Sequence, residues 1–168
     1  MHDDLTIRTA LPSDTEALTA FVAAIGAEHL PTLFARQAPP SQEQVAKMIA
    51  RHAEDERACL LLALDGDVIV GMLDFSGHAH PQRRHVGSFG MSVARQARGR
   101  GVGTQLLRAL FDFAKAQDYR KLEIEVFATN GPAIVLYESK GFVHEGSRRG
   151  AVMVGEEAVN LLMMGRGI

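Results

Sequence analysis

The chain has 168 residues, 46% hydrophobic and 23% charged, with a formal charge of −2 and one cysteine. That balance excludes a disordered chain and is long enough for a core; the near-neutral charge gives no reason to expect nucleic acid, and a lone cysteine excludes an intrachain disulfide or a cysteine-based metal site. Met1-His2-Asp3-Asp4 lacks the regions of a signal peptide, and no apolar run approaches membrane-spanning length. The expectation is one cytoplasmic domain over residues 1–168, with no membrane partner.

Leu5-Thr6-Ile7-Arg8-Thr9 alternates and predicts a first strand. Pro12 ends it, and Ser13-Asp14-Thr15-Glu16 has the form of a capping box opening a helix with Leu18, Phe21, Val22 and Ile25 inward. Residues 26–40, with Pro31, Pro39 and Pro40, read as a loop. Ser41-Gln42-Glu43-Gln44 is a second box, before a helix carrying Val45, Met48, Ile49 and His52. Cys59 to Leu64 and Val68 to Phe75 are predicted strands joined through Asp65-Gly66, a strong hairpin signal. Cys59, beside Leu60-Leu61-Leu62, is expected as a buried core thiol. A polar loop with His78 and His80 leads to a strand from Val86 to Val93. Gln105 to Ala116 has helical spacing, with Leu106, Leu110 and Phe113 on one stripe and Leu107, Phe111 and Ala114 beside it. Lys121 to Phe127 is a strand with Leu122, Ile124 and Val126 facing one way and Glu123 and Glu125 the other. This strand–helix–strand unit implies a parallel pair. Asn130-Gly131-Pro132 opens a short helix through Lys140, with Gly141 just beyond. Ser147 to Val154 and Ala158 to Met164 make a final hairpin.

Between the strand ending at Val93 and the helix lies Arg98-Gly99-Arg100-Gly101-Val102-Gly103-Thr104. Three glycines let the backbone approach a ligand, and the first helical N–H groups have no partners within the helix. With the helix dipole and two arginines, these donors form an anion site, most plausibly for phosphate. No lysine follows Gly103, so the Walker pattern fails. Counted from Gly99 or Gly101, the third glycine of a dinucleotide fingerprint falls on Thr104 or Leu106, so that reading fails too.

What the turn resembles is the Arg/Gln-x-x-Gly-x-Gly/Ala signature of the GCN5-related N-acetyltransferases (GNAT family), with Arg98, Gly101 and Gly103 in the defining places. A second motif follows: Asn130, Ala133, Tyr137, then Gly141-Phe142 and Glu145-Gly146. The His85 to Met91 stretch and the ending Leu161, Leu162, Met164, Gly165-Arg166 are similar to the amino-acid and phosphinothricin acetyltransferase-like branch. The likeness runs from about residue 60 to the end. It implies an α/β fold (α+β in some schemes): a mixed, mostly antiparallel sheet of about seven strands with a central parallel pair and four helices. It also implies acetyl-CoA as cosubstrate and a small primary amine, an amino acid or analogue, as acceptor. Acetylation of a protein amino terminus or lysine, and a non-catalytic acyl-CoA-binding module, are the alternatives. A homodimer is common in such families, though no residue pattern here requires one.

The resemblance assigns cofactor contacts to the main chain of Met91, Ser92 and Val93, and the pyrophosphate to Arg98, Gly99, Arg100, Gly101, Val102, Gly103 and Thr104. Arg98 and Arg100 could equally be solvated charges. Asn130 matches the family asparagine near the pantetheine arm but is also a good helix cap, and Ala133 lies beside it. Tyr137, one turn beyond Ala133, is the expected acid for the departing thiolate, or else a core tyrosine. The acceptor must react as a neutral amine although free amines titrate near a pKa of about 10, so a proton has to leave. Many relatives place a carboxylate where this chain has Ser88; serine cannot serve as that base but can hold a water. Glu125 or Glu123 then provides the proton path, with His78, His80 and His85, or bulk water acting on an amine that arrives partly neutral, as alternatives. His-x-His lacks a third ligand at clear spacing, so no metal is expected.

Overall fold

The computed structural model describes residues 5–34 and 38–168. Among them seven strands form one sheet, in the order β1-β2-β3-β4-β5-β7-β6. The strands are β1 (Leu5–Thr9), β2 (Cys59–Asp65), β3 (Val68–Gly77), β4 (Val86–Val93), β5 (Lys121–Phe127), β6 (Val143–Val154) and β7 (Glu157–Gly167), and the helices α1 (Thr15–Ala27), α2 (Gln42–Glu54), α3 (Val102–Ala116) and α4 (Gly131–Ser139). All neighbouring strands run antiparallel except β4 and β5.

Every residue of β2 from Cys59 to Leu64 is buried, so the sheet is covered on both faces there. On one face Gly71 gives way to α3: a Cβ there would stand 2.9 Å from Val102 and 3.1 Å from Leu106. Phe75, on the same face as Gly71, meets Phe113 of α3 and Tyr119 edge-on. The stripe expected for α3 is the one it buries, through Leu106, Leu107, Leu110 and Ala114, each side chain contributing roughly 1–3 kcal/mol. Leu18, Phe21 and Val22 of α1 and Val45 and Ile49 of α2 join the same core, with Cys59 among them. Burial, with the charge of Asp74, pushes the Cys59 thiol up to about 12, so it stays protonated.

The second capping box forms as the sequence implies: Ser41 Oγ accepts the Gln44 N–H (3.2 Å) and Gln44 Oε1 accepts the Ser41 N–H (2.9 Å). The first does not. Residues Pro12–Asp14 make a 3₁₀ turn, and α1 starts at Thr15 without a side-chain cap. Asp14 instead turns back to β1, where both its oxygens pair with Arg8 (2.7 and 2.8 Å) and one also accepts the Leu11 N–H. Those contacts, the Arg8 hydrogen bonds foremost, hold the Asp14 carboxyl below the ordinary carboxylate range against its burial.

Several strands run longer than their periodicity indicates: β2 by one residue, to Asp65, and β3 by two, to Gly77. β6 begins at Val143 instead of Ser147, because register shifts between His144 and Gly146 and between Arg148 and Val152 hide its alternation. β7 extends to Gly167, past the expected end at Met164. The feature that positions the site is the parallel pair. It holds for only three residue pairs, Val86↔Lys121, Gly87↔Leu122 and Ser88↔Glu123. Beyond Ser88, β4 continues against β3 and β5 against β7, so the two strands part.

Candidate active site

The parted strands open onto a cleft of about 1380 Å³. Its upper end is the glycine-rich turn. A 3₁₀ turn, Arg95–Ala97, follows β4; Gly99 (φ 72°) and Gly101 (φ 82°) then take the left-handed conformation that lets the chain enter α3. Gln105 is the first residue of α3 to bond back, to the Gly101 carbonyl at 3.1 Å. Among the described residues no protein acceptor meets the amides of Gly99, Gly101, Val102, Gly103 or Thr104. Five unmet donors thus gather at the positive end of a 15-residue helix, an arrangement suited to an anion. Gly103 also keeps this end open to α4, since a Cβ there would lie 2.9 Å from Leu136.

Both arginines of the turn are paired within the protein. Arg98 Nε donates to the Val93 carbonyl (3.0 Å), and its two Nη atoms take both oxygens of Glu28, at 2.8 and 3.0 Å. Arg100 reaches Asp65 at the end of β2, 3.1 Å away. Of the residues the sequence assigns to the site, Arg100 alone does not line the cleft; Met91, Ser92, Val93, Asn130, Ala133, Tyr137, Ser88 and Glu125 all do. The β5-facing edge of Met91 to Val93 has no strand partner, because the parallel ladder ends at Ser88. Asn130 caps α4 through its Oδ1, which accepts the Ala133 N–H at 3.3 Å, so the capping reading holds for a residue that also faces the cleft.

Tyr137 is 4% exposed, its ring stacked edge-on against Phe89 and tilted against Phe142, with centroids 5.8 and 5.7 Å away. Its hydroxyl has no protein hydrogen-bond partner among the described residues. Burial pushes the phenol up to about 12, so it carries its proton across the neutral range.

The opposite end is lined by charged side chains. Ser88 is exposed and paired in register with Glu123 where the ladder stops. Glu123 is held by Lys121 (3.2 Å) and Arg83 (3.0 Å), with His78 Nε2 at 3.5 Å and not aligned for a hydrogen bond. Burial opposes its ionisation, but Lys121, His78 and Arg83 outweigh burial and hold the carboxyl below its ordinary range. Glu125, two residues on, pairs with Arg148 at 2.7 Å, and Lys121 also bonds Glu145 at 2.9 Å. His80 is committed elsewhere, its Nδ1 accepting the Gln82 N–H, and neither it nor His85 lines the cleft. Sequence reasoning missed Glu28 and Arg148, and held Glu145 only as part of the second motif. For Glu28 a signal existed: an acidic residue at a helix C-terminus opposes the dipole and calls for a cation.

The family model described as "Acetyltransferase (GNAT) family" matches residues 24–142. The L-amino acid N-acetyltransferase AaaT of Escherichia coli (strain K12) is 33% identical over 108 residues, covering 64% of this chain and 66% of that protein. The chain spans less than two-thirds of the first curated relatives' own length. Among solved structures, the acetyltransferase of the GNAT family from Streptococcus pneumoniae superposes with a TM-score of 0.88 at 27% identity, over 98% of this chain and 99% of that one. A GNAT superfamily phosphinothricin acetyltransferase from Sinorhizobium meliloti, solved in complex with acetyl-CoA, shares the fold with a TM-score of 0.87 at 19% identity, over 98% of this chain and 89% of that one.

Proposed function

Because the chain belongs to the acetyltransferase (GNAT) family, we propose that it transfers an acetyl group from acetyl-CoA to the primary amine of a small molecule, an amino acid or a close analogue. One observation carries this reading. The strands part at Ser88 and Glu123, so the unmet amides of Gly99, Gly101, Val102, Gly103 and Thr104, the Tyr137 hydroxyl and the carboxylates of β5 all open into one cleft. The acetyl-CoA held by the Sinorhizobium neighbour and the amino-acid acceptor named for the E. coli relative support the same assignment.

In this reading the backbone amides of the turn take the pyrophosphate, and the free edge of Met91 to Val93 aligns the pantetheine arm, with a main-chain N–H polarising the thioester carbonyl. The amine attacks that carbon, the carbon–sulfur bond breaks and the sulfur leaves with the electron pair. Tyr137 donates a hydrogen bond and then a proton to the departing thiolate. A phenol near 12 keeps its proton across the neutral range and so is always able to donate that hydrogen bond; being a weaker acid than a thiol near about 8.5, it yields the proton to sulfur only as water returns one to the phenolate. Glu123 attracts the incoming ammonium. The same cations that keep it ionised make it a weak base, so the amine's proton leaves through water held between Ser88 and the carboxylates, with Glu125 as the next acceptor. The mixed charges at this end, Arg83 and Arg148 beside Glu123 and Glu125, favour an acceptor bearing both an ammonium and a carboxylate.

Release of free thiol from acetyl-CoA, measured over a panel of amino acids, simple amines, peptides and lysine-bearing proteins, tests the proposal. Turnover confined to amino acids and analogues is the expected result. Tight acetyl-CoA binding with no turnover on any amine would defeat it in favour of a binding module.

A further inference from the structure

We propose that Arg98 and Glu28 form a strap coupling the phosphate-binding turn to the wall of the acceptor pocket, which makes Glu28 a positioning residue for the acyl acceptor. The inference rests on the function proposed above and concerns a pair separated by 70 residues in sequence. The Arg98 side chain donates one hydrogen bond to the carbonyl that ends β4 and one to a Glu28 oxygen, and its remaining terminal nitrogen stands 2.8 Å from the other oxygen. This fork-to-fork geometry fixes orientation as well as distance. Arg95 adds a longer contact, 3.5 Å, to the same carboxylate, whose side chain is 13% exposed.

Glu28 is the C-cap of α1, where the helix dipole disfavours a carboxylate. Two arginines offset that cost and tie the helix end to the turn. Immediately after Glu28, His29 adopts φ 46° and turns the chain out of the helix. The next residues, Leu30 to Phe34, line the cleft, and Phe34 meets Phe127 of β5 edge-on with ring centroids 5.1 Å apart. One guanidinium therefore joins the end of β4, the residue before Gly99 and the start of this wall. A diphosphate seated on the amides of 99–104 fixes the Arg98 backbone, and the strap passes that order to residues 28–34. It follows that the Arg98 side chain is not itself the phosphate ligand.

Glu28→Gln, which keeps shape and removes the charge, is the informative variant. Steady-state kinetics should show the acceptor KM raised roughly fivefold, with kcat and the acetyl-CoA Kd within about twofold of the parent. Glu28→Asp should recover part of the loss, and the double variant with Arg98→Met should bind acceptor no worse than Arg98→Met alone. Hydrogen exchange gives a reading that needs no turnover: acetyl-CoA should slow exchange at residues 28–34 in the parent, and only around 91–104 in Glu28→Gln. An unchanged acceptor KM, equal donor-induced protection at 28–34 in both proteins, or tighter acetyl-CoA binding in Glu28→Gln would each overturn the strap. The last outcome would mean that Glu28 merely masks a phosphate-binding arginine. Absence of turnover in the parent with the exchange coupling intact would overturn the proposed function and leave the strap standing.

Discussion

At the turn end of the cleft the polar groups are main-chain amides of Gly99 and residues 101–104; at the opposite end, where we propose the acceptor binds, they are side chains drawn from β4, β5, β6 and the loop before β4. The amide end carries no titrating group of its own, and both its arginines are engaged elsewhere. The opposite end holds one run of alternating charge, Arg83, Glu123, Lys121 and Glu145, and a separate pair, Glu125 with Arg148. A backbone site is built once and serves any chain that can adopt its φ angles. A side-chain site can be retuned residue by residue, which suits a constant donor at one end and a particular acceptor at the other.

The sharpest way to break this contrast is Gly101→Val. Nothing lies within 4 Å of a Cβ built there, so protein crowding is not the issue. The obstacle is φ 82°, which a β-branched residue adopts only at a cost of about 1–3 kcal/mol. The turn should rearrange and acetyl-CoA affinity should fall about 100-fold or more, as read by calorimetry on a variant that remains folded. Normal affinity would mean that the amides of this turn are not the donor site.

Next in size is Tyr137→Phe, where kcat should fall about 100-fold with acetyl-CoA affinity unchanged, because the ring and its contacts to Phe89 and Phe142 remain. The pH profile sharpens the point. A phenol near 12 stays protonated, so the parent's rate should rise with amine deprotonation and show no alkaline limb from Tyr137 below about pH 11. An unaffected kcat would return Tyr137 to the core.

The same contrast explains what could be read from the chain. A backbone site demands particular residue types in sequence, so Gly99, Gly101 and Gly103 between a strand and an amphipathic helix announced the turn. The parallel pair was legible for a similar reason, since a helix between two strands leaves little other topology. Side-chain networks leave no such trace. Glu28 meets Arg98 across 70 residues, and Lys121 meets Glu145 only because β6 starts four residues before its alternation becomes visible. Ser13-Asp14-Thr15-Glu16 looked like a box because local pattern cannot report that Asp14 has a better partner in Arg8.

Glu123→Gln probes the acceptor end directly. Removing the charge should raise the acceptor KM roughly five- to tenfold while acetyl-CoA binding holds. The sign of the pH effect follows from the lowered pKa of Glu123. The carboxylate's contribution to acceptor binding is present at neutral pH and is lost only as pH falls through a value below the ordinary glutamate range. That acid limb in kcat/KM should flatten in the variant. An identical limb in both proteins would show that Glu123 is not its source.

The smallest effect is expected where sequence and geometry disagree most. Arg100 sits between the two glycines of the turn, yet its guanidinium lies by Asp65 and the Gln96 carbonyl, outside the cleft. Arg100→Ala removes a charge near the phosphate site without removing a contact to it, so acetyl-CoA Kd at physiological salt should change by no more than about twofold. Long-range attraction is screened beyond about 8 Å under those conditions, so whatever effect remains should grow as salt is lowered. A tenfold loss that salt does not alter would put this guanidinium on the ligand itself. Donor recognition would then depend on a side chain as well as on the amides, and the two ends of the cleft would differ less than their geometry implies.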